Sequence, residues 1–433
     1  MSATPASPGR IEETIFTWGA PPLKFGAGAS DEIGFELAQL GVHRVLVLTD
    51  PGLARTGIPQ RIGETIARQG IGTELFDGVH IEPTDASMQA AIDWASAHGP
   101  WDGFVAVGGG SVLDTAKAVN LLTTYPGELM DYVNKPVGLG HAPPGALQPL
   151  IAVPTTAGTG SESTAMCVLD ILSLKVKTGI SHWRLRPTLA VVDPLLTMSL
   201  PAEVSAAAGM DILCHALESY TARDFQQFAR KPADQRVTYC GANPVSDVWS
   251  ERALALLAGS FRRAVHAGET DLAARSDMML AATFAGMGFG NAGVHIPHAN
   301  AYPIAGRVTD YQPAGYPADH PLVPHGQAVS LTAPAAFRFT FSSRPERHLR
   351  AAALMAPDAV QQADPAEQLP HALTSLMRDI GIPNGIGEVG YGTGDIAALV
   401  AGSLQQQRLL ATAPRQVGEP ELSEIFAGSL VNW

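Results

Sequence analysis

Residues 103–122 read GFVAVGGGSVLDTAKAVNLL. A short apolar, β-rich run ends in three glycines, and VLDTAKAVNLL then continues with helical spacing. A strand, a glycine turn and a helix in that order is half of a βαβ unit. The flanking sequence repeats the alternation. RVLVLTD (44–50), GTELFD (72–77), PLIAVPTT (149–156) and TLAVVD (188–193) read as strands, while TGIPQRIGETIARQG (56–70) and ASMQAAIDWASAH (86–98) read as helices. Alternating elements of this kind predict an α/β domain, Rossmann-like, with a mostly parallel sheet and helices on its faces. Beyond DPLLTMSLP (193–201) the pattern changes. SERALALLAGSFRRAVHAG (250–268) and RSDMMLAATFAGMGFG (275–290) carry long 3.6-residue periods with little strand character. The expected division is residues 1–200, an α/β domain, and residues 201–433, an all-helical one. Stretches 223–248 and 311–325 read as looser, turn-rich interruptions, and no solenoid period is present.

Composition narrows the partners. The chain has 433 residues, 46% of them hydrophobic and 16% charged, enough to bury the cores of two domains. A formal net charge of -13 argues against nucleic acid or an anionic membrane surface as the main partner. Cys167, Cys214 and Cys240 show no paired spacing, which fits reduced thiols. No apolar run approaches the roughly 18 residues of a spanning helix. The opening MSATPASPGRIEETIF lacks an apolar core and is acidic early, so it reads as neither a signal nor an organelle-targeting peptide. The expectation is a soluble, cytoplasmic protein acting on a small molecule.

Three segments carry chemistry, and with them one strand-end aspartate. The loop Gly108, Gly109, Gly110, Ser111 lets backbone N–H groups approach a phosphate at a helix N-terminus, or is merely a tight turn; it is neither a P-loop nor G-x-G-x-x-G. PTTAGTGSE (154–162) offers the Thr155, Thr156 and Thr159 hydroxyls as a second wall, or as a loop of capping threonines. Asp50, ending a strand, either accepts from a ribose diol or caps a helix. The third segment is GMDILCHALESY (209–220), which puts Asp211, His215 and Glu218 on one helical face. A carboxylate and an imidazole four residues apart aim at one point, as in divalent-metal sites, and His295, His298, His320 and His325 downstream are available to complete it. Glu218 reads as a supporting group rather than a ligand.

Taken in order, GGGSVLDTAK, PTTAGTGSE, DPLLTMSLP, GMDILCHALESY, HANAYP and PHG resemble the iron-containing alcohol dehydrogenase family from about Asp50 to Ala336. GANPVSDVW, FAGMGFGNAGVHIPHANAYPIAG, DHPLVPHG and PERHL are more specifically similar to its hydroxyacid-oxoacid transhydrogenase branch, which moves hydride from 4-hydroxybutyrate to 2-oxoglutarate. The resemblance implies a dehydroquinate synthase-like fold, a dinucleotide-binding α/β domain and an all-helical metal-binding catalytic domain, with the reaction in a cleft between the two. It implies a metal held by Asp211, His215, His298 and His325, Fe(II) before Zn(II). It implies NAD, in preference to NADP, held by Gly108, Gly109, Gly110, Ser111, Asp114, Thr155, Thr156, Thr159, Lys177 and Leu196, with Asp50 as selector. A homodimer paired through an N-terminal strand is implied as well. Many relatives carry a second histidine four residues after His298; here Tyr302 stands there. Candidates for passing a proton to solvent are therefore Asp114, His295 and Tyr302. A carboxylate-bearing substrate needs a local cation in this acidic chain, and Arg307, just after HANAYPIAG, is the candidate, ahead of Arg184 and Arg186. The rival reading is a metal-dependent hydrolase whose ion activates water, which leaves the glycine and threonine loops without a task.

Overall fold

The computed structural model describes residues 12–174, 176–316 and 321–433. Six strands form one parallel sheet: β1 (Leu23–Phe25), β2 (Arg44–Leu48), β3 (Gly72–Phe76), β4 (Gly103–Gly108), β5 (Leu150–Pro154) and β8 (Leu189–Val192), in the order β1-β8-β5-β4-β2-β3. Each pair is parallel, with Val105 opposite Ile151 and Gly108 opposite Pro154. The continuous apolar runs are explained by burial on both faces. Val45, Val47, Val105, Val107, Ile151 and Val153 face Ile33, Leu37, Ile62 and Ile66 on one side. Leu46, Leu48, Phe104 and Ala106 face the other side, where Met88 and Ile92 join Leu113 and Val119 of α1 (Gly110–Thr124). Successive residues of β2 and β4 thus serve two cores, as the period of two requires. β6 (Met166–Ile171) and β7 (Val176–Ser181) form a separate antiparallel hairpin. Its residues carry Lys, Thr and Asp among the apolar positions, which hid it from the periodicity reading.

After Val192 the described residues are helical. α2 (Ala202–Thr221) runs through the middle, buried along nearly its whole length, with α3 (Pro244–His266), α4 (Leu272–Ala292) and α6 (His325–Thr340) around it and α5 (Ile296–Gly306) beside α6. No described helix is long and apolar enough to cross a membrane. The threonine loop is clamped onto α4. Gly160, in the left-handed region at φ 60°, places its backbone so close to Gly286 that a Cβ at Gly160 would sit 2.8 Å from Gly286 Cα. Two residues without side chains therefore set how closely sheet loops and helices approach.

Candidate active site

The carboxyl ends of the parallel strands hold the cofactor-loop candidates, the side of such sheets where ligands bind. Gly108 ends β4, and Gly109 is the N-cap of α1. The Thr155 N–H donates to the Gly108 carbonyl at 3.0 Å, tying the glycine loop to the threonine loop after β5. A side chain on Gly110 would strike Thr159, 2.7 Å from its Cγ2, and one on Gly109 would stand 3.5 Å from Thr156 Oγ1. The glycines leave a shallow cradle of backbone N–H groups at a helix N-terminus, walled by two threonines, which suits a diphosphate. Ser111 accepts the Glu82 N–H at 3.3 Å. Asp50 follows β2 and its carboxylate accepts the Leu53 N–H at 2.9 Å, so it caps the short helix Pro51–Ala54 while sitting at the same sheet end. Leu196 follows β8 with its side chain buried in the sheet core.

In the helical part, Asp211 and His215 lie one turn apart on α2, His298 is in α5, and His325 begins α6. Their atoms converge. Asp211 Oδ1 is 3.6 Å from His215 Nε2, 3.5 Å from His298 Nε2 and 3.8 Å from His325 Nε2. These separations are long for hydrogen bonds, but ligands placed ~2.1 Å from a tetrahedral ion lie ~3.4 Å apart. Ligand atoms of Asp211, His298 and His325 all lie within 4.8 Å of one another; His215 approaches the same carboxylate oxygen without joining that mutual spacing. Asp211 Oδ1 and His298 Nε2 are buried with no hydrogen-bond partner among the described residues. Buried polar atoms are rarely left so, and a divalent cation would satisfy both. The residues fit a metal.

Electrostatics agrees with that reading. Burial alone would raise the Asp211 pKa, yet His215, His325 and His298 hold it below the ordinary carboxylate range. Burial drives His215 down to about 3, and lowers His325. His298 goes the other way, up to about 9: burial opposes its charge, but Glu218 and Asp211 outweigh it. Glu218 is the support beneath the cluster. It accepts from His298 Nδ1 at 2.5 Å and from the His295 backbone N–H, so Nε2 of His298 is the nitrogen aimed at the metal position. The imidazoles are further fixed by stacking: His215 on Phe289 (3.9 Å between ring centroids) and on His298 (4.6 Å), and His325 beside Tyr302 (6.2 Å).

Two proton-relay candidates do not stand. Both Asp114 oxygens are occupied, one by Ser161 and Lys117, the other by the Val168 N–H at 2.9 Å, which fastens α1 to β6. His295 is wholly buried, packed edge-on against Phe337 and bonded to Thr221 at 3.1 Å, and burial lowers its pKa to about 4. Its Nδ1 lies 4.0 Å from Glu218, so its position is that of a support behind the cluster. Tyr302 alone of the three is only part-buried, with Lys177 Nζ 6.0 Å above its ring. Lys177, on β7, is ion-paired with Glu82 and with Asp170 at 3.5 Å; burial disfavours its charge, but these carboxylates raise its pKa above the ordinary lysine value. Arg307 is misplaced. It is the exposed C-cap of α5, nine residues beyond His298 and so ~14 Å along the axis, where Tyr391 feels its charge. His320 lies outside the described residues.

The sequence reading also passed over residues the structure makes central. Lys117, quoted in GGGSVLDTAK but given no role, is fully buried and donates to Asp114, the Ser161 carbonyl and hydroxyl, Thr164 and the Met166 carbonyl. Its i,i+3 spacing from Asp114 was the available signal. Glu82 had none; it is the only non-glycine residue at positive φ among the described residues, and it partners Lys177.

Comparison with known proteins places this geometry. A model of iron-containing alcohol dehydrogenase matches residues 21–194, and a model of the C-terminal part of the Fe-containing alcohol dehydrogenase family matches residues 205–430. The chain belongs to the iron-containing alcohol dehydrogenase family. Over 434 residues it is 43% identical to the mitochondrial hydroxyacid-oxoacid transhydrogenase of Mus musculus, covering 99% of this chain and 93% of that one. Among solved structures, 1,3-propanediol oxidoreductase superposes with a TM-score of 0.83 at 32% identity, over 96% of this chain and all of that one. Sulfoacetaldehyde reductase from Bifidobacterium kashiwanohense, in complex with NAD+, gives 0.79 at 25% identity over 96% and 98% of the two chains. The protein is an oxidoreductase of this family and of its transhydrogenase branch, and membership implies a metal ion and a nicotinamide dinucleotide; nothing supports the hydrolase reading. The cytoplasmic expectation is overturned, because the similar transhydrogenases of Mus musculus, Rattus norvegicus and Bos taurus are named as mitochondrial. That expectation rested on the unpaired cysteines, the lack of a long apolar run and the character of the first residues, of which 1–11 lie outside the described residues.

Proposed function

We propose that this enzyme transfers hydride from a short hydroxy acid such as 4-hydroxybutyrate to a 2-oxo acid such as 2-oxoglutarate, through NAD that remains bound between half-reactions. Asp211, His215, His298 and His325 hold one divalent ion, Fe(II) in preference to Zn(II). The carrying observation is the pair of partnerless buried atoms, Asp211 Oδ1 and His298 Nε2, where three histidines converge on one carboxylate oxygen. The substrate class rests on the 43% identity to the transhydrogenase of Mus musculus over nearly the whole chain. NAD is favoured by Asp50, whose carboxylate at the end of β2 suits a ribose diol and repels a 2′-phosphate, and by the NAD+ complex of the sulfoacetaldehyde reductase.

A divalent ion supplies polarisation of an alcohol or carbonyl oxygen, and the nicotinamide supplies a hydride carrier. The chain's own residues do the rest. Glu218 keeps the His298 proton on Nδ1 and frees Nε2. Backbone N–H groups at Gly109 and Gly110 and the Thr156 and Thr159 side chains bind the diphosphate and orient the ring toward the histidines. Tyr302, beside His325, carries the proton between substrate and solvent; burial raises its pKa, so at neutral pH its hydroxyl is a donor. A homodimer joined through the edge strand β1 is part of the same proposal. The test is turnover of 4-hydroxybutyrate with 2-oxoglutarate at substoichiometric NAD in metal-reconstituted protein, with metal content of His298→Ala and His325→Ala measured alongside. Sustained turnover and metal loss are expected. Activity that requires stoichiometric NAD and ignores 2-oxoglutarate would reduce the enzyme to an ordinary dehydrogenase, and full metal retention in both variants would overturn the ligand set.

A further inference from the structure

We infer that Arg408 is the carboxylate-recognising residue of the substrate cleft and that it selects hydroxy acids with hydroxyl and carboxylate at opposite ends of a short chain. The inference rests on the proposed hydroxy-acid reading and replaces Arg307 as the cation that reading needs.

A small apolar cluster of Tyr239, Phe289, Val294, Ala299 and Leu409, with Met166, Tyr302 and Leu410 packed against it, adjoins the metal ligands. On one side it meets the imidazoles, with His215 stacked on Phe289 and His325 beside Tyr302. On the other side the Arg408 guanidinium lies 4.5 Å from the centroid of the Tyr239 ring and 3.1 Å from Met166 Sδ. The short helix Gln407–Leu410, which carries Arg408, packs on α5, which carries His298 and Tyr302. Arg408 is exposed, and no carboxylate pairs with it among the described residues.

The neighbouring cations differ. Lys177 already faces Glu82 and Asp170, and Arg236 faces Glu13. The Arg408 charge, by contrast, reaches both tyrosines of the cluster, Tyr239 and Tyr302. A guanidinium held flat on an aromatic ring is pre-organised and keeps its outer N–H groups for a two-bond grip on a carboxylate. The methylenes of an ω-hydroxy acid would lie along the aromatic wall with the hydroxyl at the histidines. A 2-hydroxy acid with no second, distal carboxylate could not span the same wall, whereas C2 of 2-oxoglutarate is separated from its far carboxylate by the same two methylenes as in 4-hydroxybutyrate.

The experiment compares kcat/KM for 4-hydroxybutyrate and for 1-butanol in the wild type, Arg408→Lys, Arg408→Gln and Arg408→Glu, with metal content and melting temperature as folding controls. Loss of one charge-assisted pair corresponds to a fall of about tenfold to a hundredfold in the acid-to-alcohol specificity ratio for Arg408→Gln. The fall should appear mainly in KM, be larger for Arg408→Glu and smaller for Arg408→Lys. Butyrate, as a competitive inhibitor of butanol oxidation, should weaken in the same order. A ratio unchanged within twofold in Arg408→Gln and Arg408→Glu, or an equal fall for both substrates, overturns the assignment. Failure of the underlying hydroxy-acid reading is seen separately, as a wild type that shows no preference for the acid, and it removes the inference too.

Discussion

Gly326→Ala tests whether the metal geometry depends on one close helix contact. Gly326 follows His325 at the start of α6. A methyl group there would overlap the Ala207 carbonyl oxygen on α2, 2.8 Å from its carbon and 3.0 Å from Asp211 Cβ. Carbon atoms pack best ~3.5 Å apart, so α6 must retreat by about 0.7 Å or more, and the obstruction is backbone rather than a mobile side-chain tip. Overpacking of this kind costs about 1–3 kcal/mol, and the better helix propensity of alanine returns only about 0.5–1 kcal/mol. The sharper effect falls on the site. Ligand distances tolerate only ~0.2 Å, and α6 carries His325 into the cluster through this contact. Metal affinity should drop at least about tenfold, the lower end for disturbing a ligand's support. The assay is chelator competition followed by metal analysis, with chemical denaturation in excess chelator to isolate the packing cost. Gly259→Ala is the control: it lies mid-helix in α3 with nothing within 4 Å of the added methyl, and should stabilise by up to ~1 kcal/mol with metal affinity unchanged. Wild-type metal affinity in Gly326→Ala, with unchanged stability of the chelated protein, would refute the reasoning.

Glu218→Gln keeps the shape but presents an amide N–H₂ to one of two N–H donors, His298 Nδ1 or the His295 backbone; metal affinity should fall about 10–100-fold, and an unchanged dissociation constant in chelator titrations would show that the carboxylate does not orient His298. Asp50→Gly should raise the NADP/NAD ratio of kcat/KM by removing a charge that repels a 2′-phosphate; an unaltered ratio would leave Asp50 as a helix cap only. Lys117→Met should cost about 3–5 kcal/mol in denaturant unfolding, because Asp114 loses a buried cation and the Ser161 and Met166 carbonyls lose an ammonium donor, Ser161 keeping only its Thr164 donors; a midpoint like that of the wild type would mean that solvent or a rearrangement takes over those bonds.

Much of the fold was legible along the chain because its signals are local. Strand runs such as VLVL (45–48) and FVAVG (104–108) are apolar at every position since helices cover both faces of a parallel sheet, and glycines punctuate them where helices begin. The i,i+4 placement of Asp211 and His215 is equally local, because one helical turn aims both side chains at one point. What the sequence could not supply is convergence across distance. That His298 and His325 reach Asp211 depends on α5 and α6 closing on α2, which in turn needs Gly326 against Ala207. Whether Asp114 and His295 were free to move protons depended on partners from β6, Ser161 and Phe337, none near them in sequence. The same holds for the cation. Arg307 is near the metal motif along the chain yet ~14 Å beyond His298 on the helix axis, whereas Arg408, more than a hundred residues from His298, is brought by packing onto Tyr239, in the same apolar cluster as Tyr302. Residue type and local spacing determine which groups are chemically able; tertiary packing decides which of them are buried, already partnered, or aimed at the same few ångströms of space.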